Sequence, residues 1–129
     1  MELYKQYEFL IKENQCIEKE QSKIRVQINN FENKKNENNI VKSELALLDG
    51  DDVVYKLIRP ILVQQDASEA KMQVDSRIEI INKEIHKLEK NYQTNSKNME
   101  ANRQKISDIQ AKLIQLSKQV EQQMKKEGK

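Results

Sequence analysis

Residues 38–66 read NNIVKSELALLDGDDVVYKLIRPILVQQD, and the rest of the predicted architecture follows from this stretch. Two runs rich in branched apolar residues, at about 52–58 and 61–65, are separated by Arg59-Pro60, which is typical of a β-hairpin. An isolated two-stranded hairpin is only marginally stable in water and needs a further strand or a helix to pack on. Because nothing else in the sequence predicts a strand, we expect this hairpin to pair with strands from other chains.

Both faces of the predicted hairpin carry apolar side chains. Alternate residues of a strand face opposite sides, and the two sets on the first strand are Val53, Tyr55, Leu57 and Val54, Lys56, Ile58. Two-sided apolar character predicts that both faces are covered, as in a β-barrel or sandwich shared between chains. The alternative is that the hairpin folds back on the helices of its own chain.

Long heptad patterns flank the hairpin and predict helices at 2–48 and 67–126. The stripe of the first helix steps by three and four residues through Leu3, Tyr7, Leu10, Asn14, Ile17, Gln21, Ile24, Ile28 and Phe31. The second stripe runs through Ala67, Ala70, Val74, Ile78, Ile81, Ile85, Leu88, Tyr92, Asn95, Met99, Asn102, Ile106, Ile109, Leu113, Leu116 and Val120. Such narrow stripes are the a and d positions of a coiled coil. Gly50 is predicted to cap the first helix, and Asp66 with Glu69 to form a capping box for the second.

The hairpin reverses the chain, so the helices are predicted to pair antiparallel, with opposed residues whose numbers have a constant sum. A sum of 116 places Asn14 opposite Asn102 and Gln21 opposite Asn95, so the polar layers of the two stripes meet. Paired polar layers set the register of a coiled coil. The pattern fades over the polar stretch 32–39, and we interpret this as a one-residue phase slip before it resumes at Val41, Leu45 and Leu48.

The end of the predicted coiled coil that holds both chain termini is apolar and incompletely paired. Leu113 lies opposite Leu3 in this register, so the stripe beyond Leu113 has no partner in the chain. The apolar residues at this end are Leu3, Tyr4, Tyr7, Leu10, Ile11, Leu113, Ile114, Leu116, Val120 and Met124. They indicate either a terminus that frays without a role or a tip that holds apolar segments of another protein.

The composition and motif content argue against several function classes. Charged residues of both signs make up 34% of the sequence with a net charge of +2, so we expect no nucleic-acid face. No apolar run is long enough to predict a membrane helix. We find no phosphate-binding loop, catalytic motif or paired metal ligands, and expect no enzyme activity, metal or cofactor. The single Cys16 and the lack of a glycosylation site indicate a reducing compartment, so we expect cytoplasmic localisation.

The string ELALLDG at 44–50, followed by VVYKLI and ILV on either side of Arg59-Pro60, resembles the centre of β-type prefoldin subunits. The resemblance implies a mainly α fold, a long antiparallel coiled-coil hairpin whose central β-hairpin joins an intersubunit β-barrel. It also implies a hexamer of two α-type and four β-type subunits. Such a hexamer captures unfolded proteins, chiefly actin and tubulin, at its coiled-coil tips and passes them to the cytosolic chaperonin without ATP. The family usually has Gly before this proline, where the present chain has Arg59.

Transferred to this sequence, the resemblance implies a single domain over residues 1–129 and assigns the apolar end of the coil to client binding. It assigns to oligomerisation the hairpin residues Val53, Val54, Tyr55, Leu57, Ile58, Ile61, Leu62 and Val63. Two hypotheses stay open, a chaperone subunit and a structural coiled-coil tether whose ends bind one folded partner. The hairpin favours the chaperone, because a plain tether needs no shared barrel.

Overall fold

The computed structural model describes residues 2–128 and contains two helices joined by a β-hairpin. Helix α1 spans Glu2–Leu45, strand β1 Val53–Ile58, strand β2 Ile61–Asp66 and helix α2 Ala67–Glu127. The predicted mainly α fold with a central antiparallel hairpin is confirmed. Helix α1 ends three residues earlier than predicted, and every other boundary agrees with the prediction to within one residue.

The chain divides into two compact units, and both helices contribute to each. The terminal unit comprises Met1–Lys23 and Asn91–Lys129, and the hairpin unit comprises Ile24–Lys90. In the terminal unit the buried residues are Leu10, Gln21, Asn102 and Ile109, and in the hairpin unit they are Ile24, Leu45, Ala67, Ala70, Val74, Ile81 and Ile85. The single domain predicted over the whole sequence stays a prediction.

Burial follows the predicted heptad stripes. Every stripe position from Leu3 to Phe31 on α1, and from Ala67 to Leu113 on α2, is buried or half-buried. Residues between the stripe positions are mostly exposed, as expected when helices contact a partner along one narrow seam. The seam is therefore the core of each unit, and the predicted coiled-coil pairing is confirmed.

Of the two predicted polar layers, the pairing of Asn14 with Asn102 is confirmed in the terminal unit. The side-chain amide of Asn102 donates to Oδ1 of Asn14 over 3.0 Å. The Asn14 amide in turn donates to the main-chain oxygen of Met99, at 3.4 Å. In the observed register each of these side chains therefore has a polar partner across the seam.

The prediction for Gln21 is wrong about its partner. Its Nε2 donates to Oγ of Ser96 at 2.9 Å and to the main-chain oxygen of Tyr92 at 3.2 Å, and not to Asn95. Glutamine is one methylene longer than asparagine, so its amide reaches past the opposite stripe position to the groups on either side. The Gln21 side-chain oxygen is buried and has no hydrogen-bond partner among residues 2–128.

The predicted phase slip at 32–39 is also wrong. Helix α1 continues without interruption through this stretch, and Lys35 and Asn38 occupy half-buried positions that extend the steps of three and four from Phe31. The same spacing leads to Leu45, which is buried, whereas Val41 is 41% exposed. A lysine can occupy a seam position because its aliphatic stem packs while the ammonium reaches water. The heptad spacing of seam positions therefore continues through this stretch, although the residues at those positions are polar.

The connection from α1 to β1 is a hydrogen-bonded turn, and the predicted left-handed Gly50 cap is wrong because no described glycine has a positive φ. The end of α1 tightens instead, with the Leu48 amide donating to the Leu45 oxygen at 3.0 Å. Lys71 Nζ donates to the freed Leu48 oxygen at 2.7 Å. Such i to i+3 bonds and a lysine donor satisfy carbonyl groups that a helix end leaves unpaired.

Helix α2 begins without the predicted capping box. Among the described residues, no hydrogen bond joins the Asp66 or Glu69 side chain to the first turn, and Asp66 is the last residue of β2. The amide of Ala67 instead donates to the main-chain oxygen of Asp52, at 2.8 Å. Strand β2 therefore leads directly into the helix, and the turn before β1 supplies the first acceptor.

The hairpin turn is a two-residue loop, because Ile58 pairs with Ile61. Arg59 has a φ of 54°, the only positive φ of a non-glycine residue within 2–128. Two-residue hairpin loops need a positive φ at the first loop position, which glycine adopts at no steric cost and other residues adopt unfavourably. Arg59 therefore carries strain at the position where the resembling family usually has glycine.

The Asn14–Asn102 layer leads to a prediction about stability. Asn102→Ala leaves Asn14 without its partner and should lower the free energy of unfolding by about 1–3 kcal/mol. Replacing both residues with leucine should recover that loss or exceed it, because an apolar layer then fills the seam. Urea unfolding followed by circular dichroism measures both effects. The exposed Asn98→Ala serves as control, and an equal effect of Asn98→Ala and Asn102→Ala would contradict the prediction.

The strained turn leads to a second prediction. Arg59→Gly should raise the free energy of unfolding by about 1 kcal/mol, because the cost of the left-handed conformation for a residue with a Cβ is removed. Arg59→Ala keeps the Cβ and should leave stability nearly unchanged, so it is the matched control. If the two variants unfold at the same urea concentration, the turn is not strained.

Candidate functional site: two exposed apolar surfaces

The hairpin leaves most of its apolar side chains exposed. Seven of the eight residues assigned to oligomerisation are between 41% and 68% exposed. These seven, which we call the hairpin surface, are Val53, Tyr55, Leu57, Ile58, Ile61, Leu62 and Val63. Hairpins this small are not stable with such a surface in contact with water. The hairpin surface is therefore a candidate for covering by another chain.

Val54, the eighth residue of that assignment, is half-buried and differs from the other seven in its surroundings. It lies on the face of β1 that points to the chain's own coil, where it packs against the buried cluster of Leu45, Ala70 and Val74. Lys56 on the same face donates from Nζ to Oε1 of Gln73 at 3.2 Å. The hairpin therefore packs on its own helices at Val54 and Lys56, as the alternative interpretation of the sequence predicted, on one face. The opposite face, which carries Tyr55 and Leu57, stays exposed.

The main-chain edges of the hairpin are open as well. The sheet contains two strands, and β1 pairs with β2 alone. Within residues 2–128 no third strand is available, so the outer edge of each strand presents amide and carbonyl groups that the sheet does not satisfy. Such an edge can add a strand from another polypeptide through main-chain hydrogen bonds.

Leu47 is an exposed residue that the sequence analysis missed. It is 88% exposed and lies in the turn between α1 and β1, where its amide donates to the Glu44 oxygen at 3.3 Å. In the same turn the Asp49 amide donates to Oδ2 of Asp52 at 2.7 Å, and the Asp52 amide donates to the main-chain oxygen of Asp49 at 3.0 Å. The sequence ELALLDG indicated this exposure, because it contains three leucines and the seam spacing accommodates only Leu45 and Leu48.

The terminal unit carries the second apolar surface. The exposed residues, which we call the terminal surface, are Tyr4, Phe9, Ile114, Leu116, Val120 and Met124. Four predicted tip residues are only half-buried, and these are Leu3, Tyr7, Ile11 and Leu113. Leu10, also a predicted tip residue, is 8% exposed and belongs to the seam. The transition after Leu113 is sharp, since every later residue of α2 is exposed.

Phe9 was not among the predicted tip residues, although it is 65% exposed. It lies next to the seam residue Leu10 and faces a groove between α1 and α2 within the terminal unit. The heptad stripe does not predict it, because Phe9 lies between the seam positions Tyr7 and Leu10. An aromatic residue directly beside the seam was the available signal.

Features of other site classes are lacking in the described part of the chain. Among residues 2–128, no group of three or more His, Cys, Asp or Glu side chains could hold a metal ion. No helix in the same range combines the length and apolarity needed to cross a membrane. Cys16 is an exposed free thiol. The two apolar surfaces are therefore the features of this structure that need a functional explanation.

Comparisons with known proteins agree on one family. Residues 8–112 match the family described as Prefoldin subunit. The chain is 37% identical over 100 residues to prefoldin subunit 6 of Homo sapiens, covering 78% of each protein. It is 33% identical over 117 residues to probable prefoldin subunit 6 of Caenorhabditis briggsae, covering 91% of each. The crystal structure of the prefoldin beta subunit from Thermococcus strain KS-1 has the same fold, with a TM-score of 0.75 at 16% identity, over 80% of this chain and 90% of that one.

Proposed function

The chain belongs to the prefoldin subunit family, a chaperone family, and from this premise we propose that it acts as a β-type subunit of a prefoldin hexamer. The proposed hexamer contains two α-type and four β-type subunits and works in the cytoplasm. It captures unfolded proteins such as actin and tubulin at the ends of its coiled coils and passes them to the cytosolic chaperonin without ATP. Residues 1–129 act in it as a single domain.

The observation that carries the proposal is the open hairpin. Tyr55, Leu57 and Leu62 are each more than 60% exposed on a sheet of only two strands. Strands from neighbouring subunits would extend both edges and cover this face, as in an intersubunit β-barrel, which removes edges altogether. Assembly with other prefoldin subunits thereby provides the cover that the chain itself lacks.

The terminal surface supports client capture. Beyond Leu113, Leu116 and Val120 continue the heptad spacing on α2 and Met124 lies one turn further on, and the three are 47–68% exposed. An amphipathic helix with its apolar stripe uncovered can bind apolar segments of a protein that has not folded. Holding such segments needs no catalytic group, which fits a chaperone that uses no ATP.

The structural tether is the second candidate. Its ends would bind one defined folded partner, and the register-setting Asn14–Asn102 layer would suit a rigid spacer. A tether does not explain the hairpin surface, because a simple turn would connect two paired helices equally well. We therefore favour the chaperone subunit.

Client capture is tested with two pairs of substitutions on α2 in the assembled hexamer. Val120→Ser with Met124→Ser should weaken binding of an unfolded client by at least about tenfold, because full burial of one such side chain contributes about 1.5–3 kcal/mol and about 1.4 kcal/mol corresponds to tenfold. Met72→Ser with Ile80→Ser removes side chains of comparable exposure from the hairpin unit and should leave binding unchanged. Suppression of client aggregation by light scattering gives the readout.

Size-exclusion chromatography with light scattering should show that both variant pairs still form hexamers. Equal suppression by the two pairs would show that the terminal surface does not hold clients. Binding of a single folded protein, with no effect on unfolded clients, would instead support the tether.

A further inference from the structure

A groove between α1 and α2 in the terminal unit combines an apolar floor with charged residues at its rim. Its floor is formed by the seam residues Leu10 and Ile109, which are 8% and 7% exposed. Phe9 forms an exposed aromatic wall, and the volume is about 600 Å³. Pockets of about 300–1,000 Å³ are the usual size for specific ligands, so this open groove has room for a large side chain and its neighbours.

The rim of the groove is predominantly basic. Lys5 on α1 and Lys105 and Lys112 on α2 line it, and within residues 2–128 none of the three forms an ion pair. Two carboxylates, Glu2 and Asp108, also line the groove. The Asp108 carboxylate accepts a hydrogen bond from Gln104 Nε2 at 3.3 Å. The excess of ammonium groups leaves the rim positive.

The two units also differ in net charge. The terminal unit has twelve basic and nine acidic residues, whereas the hairpin unit has eleven basic and twelve acidic ones. The positive net charge of the chain therefore lies in the unit that carries the terminal surface. Charge of one sign around a concave site favours ligands of the opposite sign and speeds their encounter.

The groove also continues along α2. Lys112 lines a second, smaller groove of about 310 Å³ with Leu3 and Leu116. A ligand that passes Lys112 can therefore contact Phe9 on one side and Leu116 on the other. This continuity suits an extended polypeptide segment better than a compact small molecule.

From these features we infer that the groove at Phe9 selects unfolded segments in which an aromatic or large aliphatic side chain is flanked by acidic residues. Phe9 packs against the apolar side chain, and Lys5, Lys105 and Lys112, which we call the basic rim, contact the flanking carboxylates. The inference rests on the proposed function and adds a client class to it. The charge preference would be a property of this chain, beyond the general affinity of an apolar tip.

The physical division of roles follows from the two interaction types. Burial of the aromatic side chain against Phe9 and the seam provides most of the affinity, because apolar area and aromatic pairing do not depend on charge. Exposed ion pairs contribute little each and are screened by salt. The basic rim therefore changes which segments bind more than it changes how tightly the best ones bind.

The test uses hexamers that contain the full chain and two peptides with the same Phe-Leu core, one flanked by Asp and the other by Lys. Each peptide carries a photo-crosslinking group in the core, and mass spectrometry separates crosslinks to this chain from those to other subunits. At low salt the Asp-flanked peptide should crosslink to this chain about fivefold more than the Lys-flanked one. In about 1 M salt, where the Debye length is about 3 Å, the difference should largely disappear.

Variants of the groove separate its two parts. Phe9→Ser should reduce crosslinking of both peptides to this chain several-fold, and Phe9→Leu should restore most of it. Reversing the basic rim with three Lys→Glu substitutions should invert the preference toward the Lys-flanked peptide. The matched control reverses Lys23, Lys87 and Lys90, which are exposed elsewhere on the coil, and should leave the preference unchanged.

The outcomes distinguish this inference from the proposed function. Equal crosslinking of both peptides at low salt, or a preference that survives reversal of the basic rim, would overturn the charge selection while client capture stands. No crosslinking to this chain by either peptide, together with unimpaired aggregation suppression by the Val120/Met124 variant, would remove client capture at this end and the inference with it.

Discussion

In an antiparallel pair of strands, the main-chain hydrogen bonds are complete only between the two strands, and the outer edge of each strand remains open. In this chain the open edges coincide with an exposed apolar face that includes Tyr55, Leu57 and Leu62. Covering by the chain's own coil is limited to the inner face, where Val54 joins the seam cluster. The hairpin therefore has to be completed by other polypeptides, and membership in a family of assembling subunits agrees with that requirement.

The coiled coil has a different task, which is to keep two helices in a single register. An apolar seam alone permits neighbouring registers, since each shift by a heptad again matches apolar residues. The Asn14–Asn102 bond at 3.0 Å forms in the observed register, and a shift by one heptad would place Gln21 opposite Leu88. Buried polar layers reduce stability, so their presence indicates that alignment of α1 with α2 matters more here than maximal stability. That alignment determines how far the stripe of α2 extends beyond the last paired position.

Much of the fold could be predicted because the apolar residues repeat about every 3.5 positions in the helices and the side chains alternate every 2 positions in the strands. The predicted seam matches the buried residues from Leu3 to Phe31 and from Ala67 to Leu113. The errors arose where polar side chains occupy seam positions, as at Lys35 and Asn38, because hydrophobicity alone does not show that a lysine stem is packed. Phe9 and Leu47 were missed for the converse reason, since apolar residues off the seam carry no periodic signal. The partner of Gln21 depended on side-chain length, which pairing arithmetic ignores.

The requirement that other chains complete the hairpin is tested most directly by amide hydrogen exchange over residues 53–66. Exchange is measured in the isolated chain and in the assembly with prefoldin α-type subunits. Amides that point away from the partner strand should exchange rapidly in the isolated chain and become strongly protected in the assembly. Equal exchange of these amides in both states, with complex formation verified by mass, would contradict completion of the sheet by neighbouring subunits.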